Sequence, residues 1–208
     1  MREFITADGS MTFYNEEVQD HYHTKSGARE EAIEKYAKAM DIRPGRIVFD
    51  ICFGLGYSSA AALDVGPATI YCFENDKEIL KKILEIDADF KSYAVIKEFV
   101  RQFLEGNPVY EKDGIKLVMV FGDARELINT VPVLADYVFF APFSPKMVPD
   151  MWTEQFFKDI RAKMRSGAKL GTYSYAVWVR RNMKNAGFTL YDGPTIGRIS
   201  PSTIAVNE

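Results

Sequence analysis

The chain is poor in reactive side chains: two cysteines, two histidines and two tryptophans stand among 208 residues. Cys52 and Cys72 each lie inside an apolar, strand-like run. That excludes a disulfide framework and reads as two buried free thiols in a reducing compartment. His21 and His23 stand two residues apart with no cysteine or acidic cluster to complete a ligand set, so no metal site is expected. No apolar run approaches the roughly 18 residues that a membrane-spanning helix needs. The opening MREFITADGS carries charge with no apolar stretch behind it, which argues against a secretory signal and for a cytoplasmic protein. Repeats, low-complexity tracts and Pro/Gly/Ser linkers are also lacking. Apolar residues make up 47% of the chain, so one domain over 1–208 is expected.

Charge is unevenly spread. Residues 1–140 hold 16 Lys/Arg and 24 Asp/Glu, while residues 141–208 hold 10 and 5, so a net −8 precedes a net +5. A basic C-terminal third on an acidic protein suits an anion-binding face, or is the ordinary scatter of charge in segments of this size.

Two short strands are expected around FITAD and MTFYN, with Gly9-Ser10 between them. Ser26 to Met40 reads as a helix capped by Ser26, with apolar residues at helical spacing. Strands and helices then alternate. The strands are RIVFDICF, ATIYCFEND, IKLVMVFGD, DYVFFAPF and AKLGTYS. The helices run from Tyr57 to Leu63, Lys77 to Ile86, Phe90 to Leu104, Ala124 to Thr130, Thr153 to Met164 and Val177 to Ala186. FTLYD and STIAVN close the chain as an antiparallel hairpin. This order predicts an α/β, Rossmann-like fold with a mostly parallel central sheet.

The densest chemistry is in FDICFGLGYSS, Phe49 to Ser59. A strand ends at Asp50, and Phe53, Gly54 and Gly56 follow before a helix, so the backbone can approach a ligand closely. Glu74 ends the next strand, 18 residues past Gly56, where a carboxylate can hold both ribose hydroxyls. Asp76 follows it, and Asp123 with Ala124 ends the third strand near an adenine position. Asp76 and Asp123 can equally well be helix caps. A nicotinamide dinucleotide and S-adenosylmethionine (SAM) both suit this pattern. Ser59 stands where a pyrophosphate-binding helix would have its third Gly or Ala, and Asp50 would repel phosphate but suits a cationic ligand. SAM is therefore the expected cofactor.

The loop after DYVFFAPF carries Pro142, Pro145 and Pro149 in eight residues. In a sheet of this order it lies over the transferred group. Phe143, Ser144, Pro145, Lys146 and Trp152 are expected to border an acceptor, unless Trp152 with Phe156 and Phe157 merely anchors a helix. Arg180 and Arg181 on a helix suit phosphates, or are a solvated face.

FSPKMVPDMWTEQFF, GTYSYAVWVRRNMKNAGF and GRISPST resemble the methyltransferase domain of the MnmC family of tRNA wobble-uridine enzymes and its stand-alone relatives. DGSMTFYNEEVQDHYHTKSGAREEA and CFGLGYSS extend the resemblance over nearly the whole chain. It implies a Rossmann-like SAM-dependent methyltransferase whose N-terminal extension (1–45) covers the cofactor and acceptor site of a core (46–208). The implied reaction methylates the aminomethyl group of 5-aminomethyl-2-thiouridine, with the tRNA anticodon stem-loop as partner. The flavin oxidase fused to many members has no counterpart in this sequence, so a stand-alone form is expected.

The family's Asp-x-Phe-Ser/Ala-Pro pattern reads Ala141-Pro142-Phe143-Ser144-Pro145 here, with Ala141 at the aspartate position. Three readings follow. Another group, such as Tyr14, His21, His23 or Tyr173, serves in its place. The acceptor is a different one, for instance a small molecule. Or the chain binds SAM with little turnover.

Overall fold

The computed structural model describes residues 1–197 and 199–208. The chain opens with a three-stranded antiparallel sheet: β1 (Arg2–Ile5), β2 (Met11–Asn15) and β3 (Asp20–His21). α1 (Ala28–Glu31) follows and runs directly into a π-helical stretch (Ala32–Lys38). Ser26 does not cap it, contrary to expectation. The amides of Ala28 and Arg29 donate to Ser10 Oγ, at 3.0 and 3.2 Å, and that of Glu30 to Asp8 Oδ2, at 2.9 Å. Burial opposes the ionised form of Asp8, but bonds from Ser10, Thr6 and the Glu30 amide outweigh it and bring its pKa down to about 2. The first hairpin thus caps a helix 18 residues further on, which no local capping pattern can foretell.

The main sheet has eight strands. It is built from β4 (Ile47–Ile51), β5 (Thr69–Glu74), β6 (Val109–Lys112), β7 (Ile115–Phe121), β8 (Ala135–Phe140), β9 (Met164–Thr172), β10 (Thr189–Asp192) and β11 (Thr203–Val206). Their order is β10-β11-β9-β8-β4-β5-β7-β6. The five strands from β9 to β7 are parallel, and the closing hairpin β10–β11 joins antiparallel to β9. β6 adds an antiparallel edge on β7 that the sequence reading did not separate from the loop.

Helices α2 (Tyr57–Val65), α3 (Lys77–Glu85), α4 (Tyr93–Leu104), α5 (Ala124–Leu127), α6 (Glu154–Ala162) and α7 (Val177–Asn185) connect the strands. Side-chain alternation splits the core in two. Val48, Cys72 and Phe139 face one layer with Tyr36 and Phe99, and Phe49, Ile51 and Phe140 face the other with Trp152 and Phe157. Parallel strands end together, so the carboxyl ends of β4, β5, β7, β8 and β9 share one rim, where open α/β sheets bind ligands. No helix among the described residues is long and apolar enough to cross a membrane.

Candidate functional site

A cavity of about 1140 Å³ opens at this rim, roofed by the N-terminal segment. On the sheet side its floor is the turn after β4. Asp50 is 1% exposed and accepts a bond from Ser59 Oγ at 2.6 Å. Burial pushes its carboxyl up to about 7; the Ser59 bond opposes this and the neighbouring Glu74 adds to it. Cys52 then turns the chain at φ +67°, a left-handed conformation costly for a residue with a Cβ. Cys52 lines the cavity as a half-buried residue whose thiol pKa is pushed up by burial, and Cys72 is buried; both are free. Gly54 (φ +55°) follows, and its amide donates to Glu74 Oε2 at 2.8 Å. Glu74 Oε1 receives the amides of Asn75 and Asp76 at 2.8 and 2.9 Å. Burial raises the Glu74 pKa, and these backbone bonds partly offset the shift.

Gly56 does not line the cavity. A Cβ there would meet Phe53 at 2.7 Å and Ile96 at 2.8 Å, so the glycine serves the packing of α2 on α4. Phe53, Asp76, Asp123 and Ala124 do line it. Asp76 Oδ1 caps α3, while its Oδ2 accepts the Tyr22 hydroxyl at 2.8 Å. Asp123 caps α5 and is gripped by Arg125, whose hydrogen bonds lower its pKa. Both aspartates thus do have the capping role that stood beside the cofactor role.

The loop after β8 forms the opposite wall. Ala141, Phe143 and Ser144 line the cavity. Pro145 and Lys146 do not; Lys146 is exposed, and Met147 and Val148 face inward instead. Trp152 is fully buried, against the expectation that it borders an acceptor. It packs edge-on to Phe140 and Tyr173, and its indole N–H holds the Phe143 carbonyl at 3.0 Å. It shapes the loop from beneath. Tyr173 lines the cavity, and its hydroxyl donates to the Pro142 carbonyl at 2.8 Å. Arg180 is also corrected: it pairs with Asp192 at 2.9 Å, lies over the Tyr175 ring and bonds Thr203, which leaves it engaged within the fold. Arg181 is exposed.

The roof held residues that the sequence reading passed over. Asp20 Oδ2 accepts the Ser144 amide at 2.8 Å. Tyr22 packs its ring on Phe143 at 4.8 Å and reaches Asp76 with its hydroxyl. Alternation then sends the histidines the other way. His21 lies between Phe4 and Tyr14, and His23 stacks on Tyr57 and bonds Thr12. Burial lowers both imidazole pKa values, that of His23 to about 4. Both still touch the cavity, whereas Tyr14 is outside it. The missed signal was the period-2 pattern Asp20-x-Tyr22 beside two aromatic histidine contacts.

The donor set fits SAM. Ten Asp or Glu residues line the cavity against three Lys or Arg. Such walls suit a sulfonium and an α-ammonium and disfavour a pyrophosphate. Glu74 and the Gly54 turn offer an acceptor carboxylate and a close backbone approach at the expected ribose position.

Comparison with known proteins agrees. An uncharacterised protein of Methanocaldococcus jannaschii is 34% identical over 205 residues, 96% of this chain and 58% of that protein. The tRNA 5-methylaminomethyl-2-thiouridine biosynthesis bifunctional protein MnmC of Pseudomonas putida is 31% identical over 108 residues, 52% of this chain and 16% of the relative. This chain thus spans only part of these curated relatives. The crystal structure of MNMC2 from Aquifex aeolicus superposes with a TM-score of 0.81 at 28% identity, covering 100% of this chain and 70% of that one. A family profile described as S-adenosyl-L-methionine-dependent methyltransferase matches residues 90–208. On fold, cavity and family match together, the chain belongs to the S-adenosyl-L-methionine-dependent methyltransferases of the MnmC type.

Proposed function

We propose that this methyltransferase acts on a primary amine, the aminomethyl group of a modified wobble uridine in tRNA. The observation that carries the reading is the cavity's excess of carboxylates, which suits a cofactor and an acceptor that are both cationic at neutral pH. The names of the MnmC relatives point to the same chemistry. SAM, when bound, would supply a methyl group on a sulfonium, and the acceptor ammonium must first give up a proton, because only the neutral amine has the lone pair that forms the C–N bond as the C–S pair returns to sulfur. The chain's own contribution is to bind, orient and exclude water, with the amine's proton leaving to solvent.

In this reading Gly54, Glu74 and Asp123 hold the cofactor, with Asp50 and Asp76 behind them. Phe143 and Ser144 border the acceptor. Phosphates belong outside the acidic cavity. α7 starts five residues after β9 ends, at the same rim, and carries the exposed Arg181 and Lys184 and no acidic residue. Val177 and Trp178 at its start are 84% and 36% exposed and suit stacking by an unpaired base.

A small cationic amine would suit the acidic lining equally well, and that is the second reading. The test offers labelled SAM to tRNA carrying 5-aminomethyl-2-thiouridine and to free polyamines, followed by nucleoside mass spectrometry. Label in 5-methylaminomethyl-2-thiouridine, with binding that weakens steeply with salt, is the expected result. Label in free amines alone would replace the tRNA reading.

A further inference from the structure

The acceptor loop from Ala141 to Val148, APFSPKMV, holds no carboxylate of its own. Among its side chains that line the cavity only Ser144 offers a polar group, so an amine held against them would meet apolar groups, that hydroxyl and backbone. One carboxylate is nevertheless bonded to that loop. It comes from β3: Asp20 Oδ2 accepts the Ser144 amide at 2.8 Å, and Oδ1 accepts the His21 amide at 2.9 Å. Two backbone donors on opposite oxygens fix the plane of the group, and each oxygen keeps a second acceptor position. Asp20 is partly buried and lines the cavity together with Ala141 and Ser144. Among the described residues no lysine, arginine or histidine forms an ion pair with it, whereas Asp76 and Asp123 are engaged by Tyr22 and Arg125. Tyr22, two residues on and on the same side of the strand, anchors this stretch to Phe143.

We propose that Asp20 is the acceptor-binding carboxylate of this enzyme, reaching over Ala141 from the N-terminal segment to take an N–H hydrogen bond from the substrate amine. The proposal rests on amine methylation as the reaction. An oriented anion at that point fixes the nitrogen's direction toward the cofactor end of the cavity, and charge-assisted bonds are the stronger kind. Of the cavity's carboxylates, Asp20 is the one bonded to the loop that has alanine at 141. The Ser144 amide, by holding Asp20, also ties the acceptor loop to the roof.

The test is relocation of the charge. Asp20→Asn keeps an oxygen for the Ser144 amide and loses the anion. In single-turnover assays with labelled SAM and tRNA bearing 5-aminomethyl-2-thiouridine, it should slow transfer by roughly ten- to a thousandfold and raise the acceptor KM. SAM affinity, read by calorimetry, should stay within about twofold if the charge acts on the acceptor. Asp20→Glu should keep more activity than Asp20→Asn, and Ala141→Asp in the Asp20→Asn background should recover at least about tenfold. Transfer by Asp20→Asn within about twofold of the unaltered protein would overturn the proposal. So would a loss that neither Asp20→Glu nor the relocated carboxylate improves, because the role would then be structural. Absence of transfer by the unaltered protein to any amine would count against the reaction itself.

Discussion

The two walls of the cavity are built by opposite means. On the sheet side, carboxylates are held where the strands end: Glu74 gathers three backbone amides from the turn after β4 and from its own succeeding residues. The roof is fastened by single long-range bonds. Asp20 meets Ser144 across 124 positions, Tyr22 meets Asp76 across 54, and Tyr57 donates to the Met11 carbonyl across 46. A wall made by strand ends and their turns follows from local sequence. A wall made by isolated distant pairs follows from the fold as a whole, and it can yield without the sheet yielding.

Glu74→Ala should break that contrast most severely, since it damages the sheet wall itself. Three amides lose their acceptor, at roughly 1–3 kcal/mol for each one left dry, so urea unfolding should show a loss of about 3 kcal/mol or more. SAM affinity should fall roughly a hundredfold by calorimetry, as expected of a charged acceptor for buried hydroxyls. Unchanged SAM affinity would remove Glu74 from the cofactor end.

Asp50→Asn should act with the opposite sign on stability. The folded carboxyl titrates near 7, above the ordinary 3.8, so the folded state holds its proton where the unfolded state has released it. The penalty is absent below pH 3.8, grows as pH rises through this window, and is complete above about 7. The amide should therefore stabilise by on the order of 1–3 kcal/mol at pH 8 and by little at pH 4, read from urea midpoints. SAM affinity should nevertheless drop, because the cationic cofactor favours the ionised carboxyl. A stability gain that is the same at both pH values would mean that burial does not shift Asp50.

Tyr22→Phe is the mildest change and sharpens the comparison. It removes one hydroxyl between roof and sheet wall and keeps the ring on Phe143. The expected cost is about 1 kcal/mol in SAM affinity, roughly fivefold, with a melting temperature close to the unaltered protein's. A large fall in melting temperature would show that the roof is integral to the fold.

The same contrast governs what could be read from the chain. The parallel strands, the closing hairpin and the turn Asp50–Gly56 were legible because period, punctuation and spacing are local signals. The cap of α1 by Asp8 and Ser10, the roles of Asp20 and Tyr22, and the burial of Trp152 were not, since each depends on a partner that only the folded chain brings near. Gly56 and Arg180 show another limit. Glycine in a turn and arginine on a helix fit a ligand or a structural partner equally well, and here Phe53 and Asp192 supply the structural partners.

The π-helical stretch Ala32–Lys38 has a consequence for how insertions and deletions bear on the site. Its bonds reach back five residues, as from the Ala39 amide to the Glu34 carbonyl and from the Ile42 amide to the Ala37 carbonyl. A π turn behaves as an α-helix carrying surplus chain, and such stretches recur at functional sites. Deleting one residue would let the helix tighten to the α form. Because the π stretch already absorbs that surplus residue, the flanking segments would keep nearly the same register, whereas a residue added beyond it would turn everything before it by about 100° and shift it by about 1.5 Å relative to the sheet. After such an insertion Glu31 and Ala32, which face the cavity, would swing away from it, and the hairpin that caps the helix would pull on Asp20 and Tyr22. The helix thus tolerates the loss of one residue better than the gain of one, and the placement of the whole roof depends on chain length inside it.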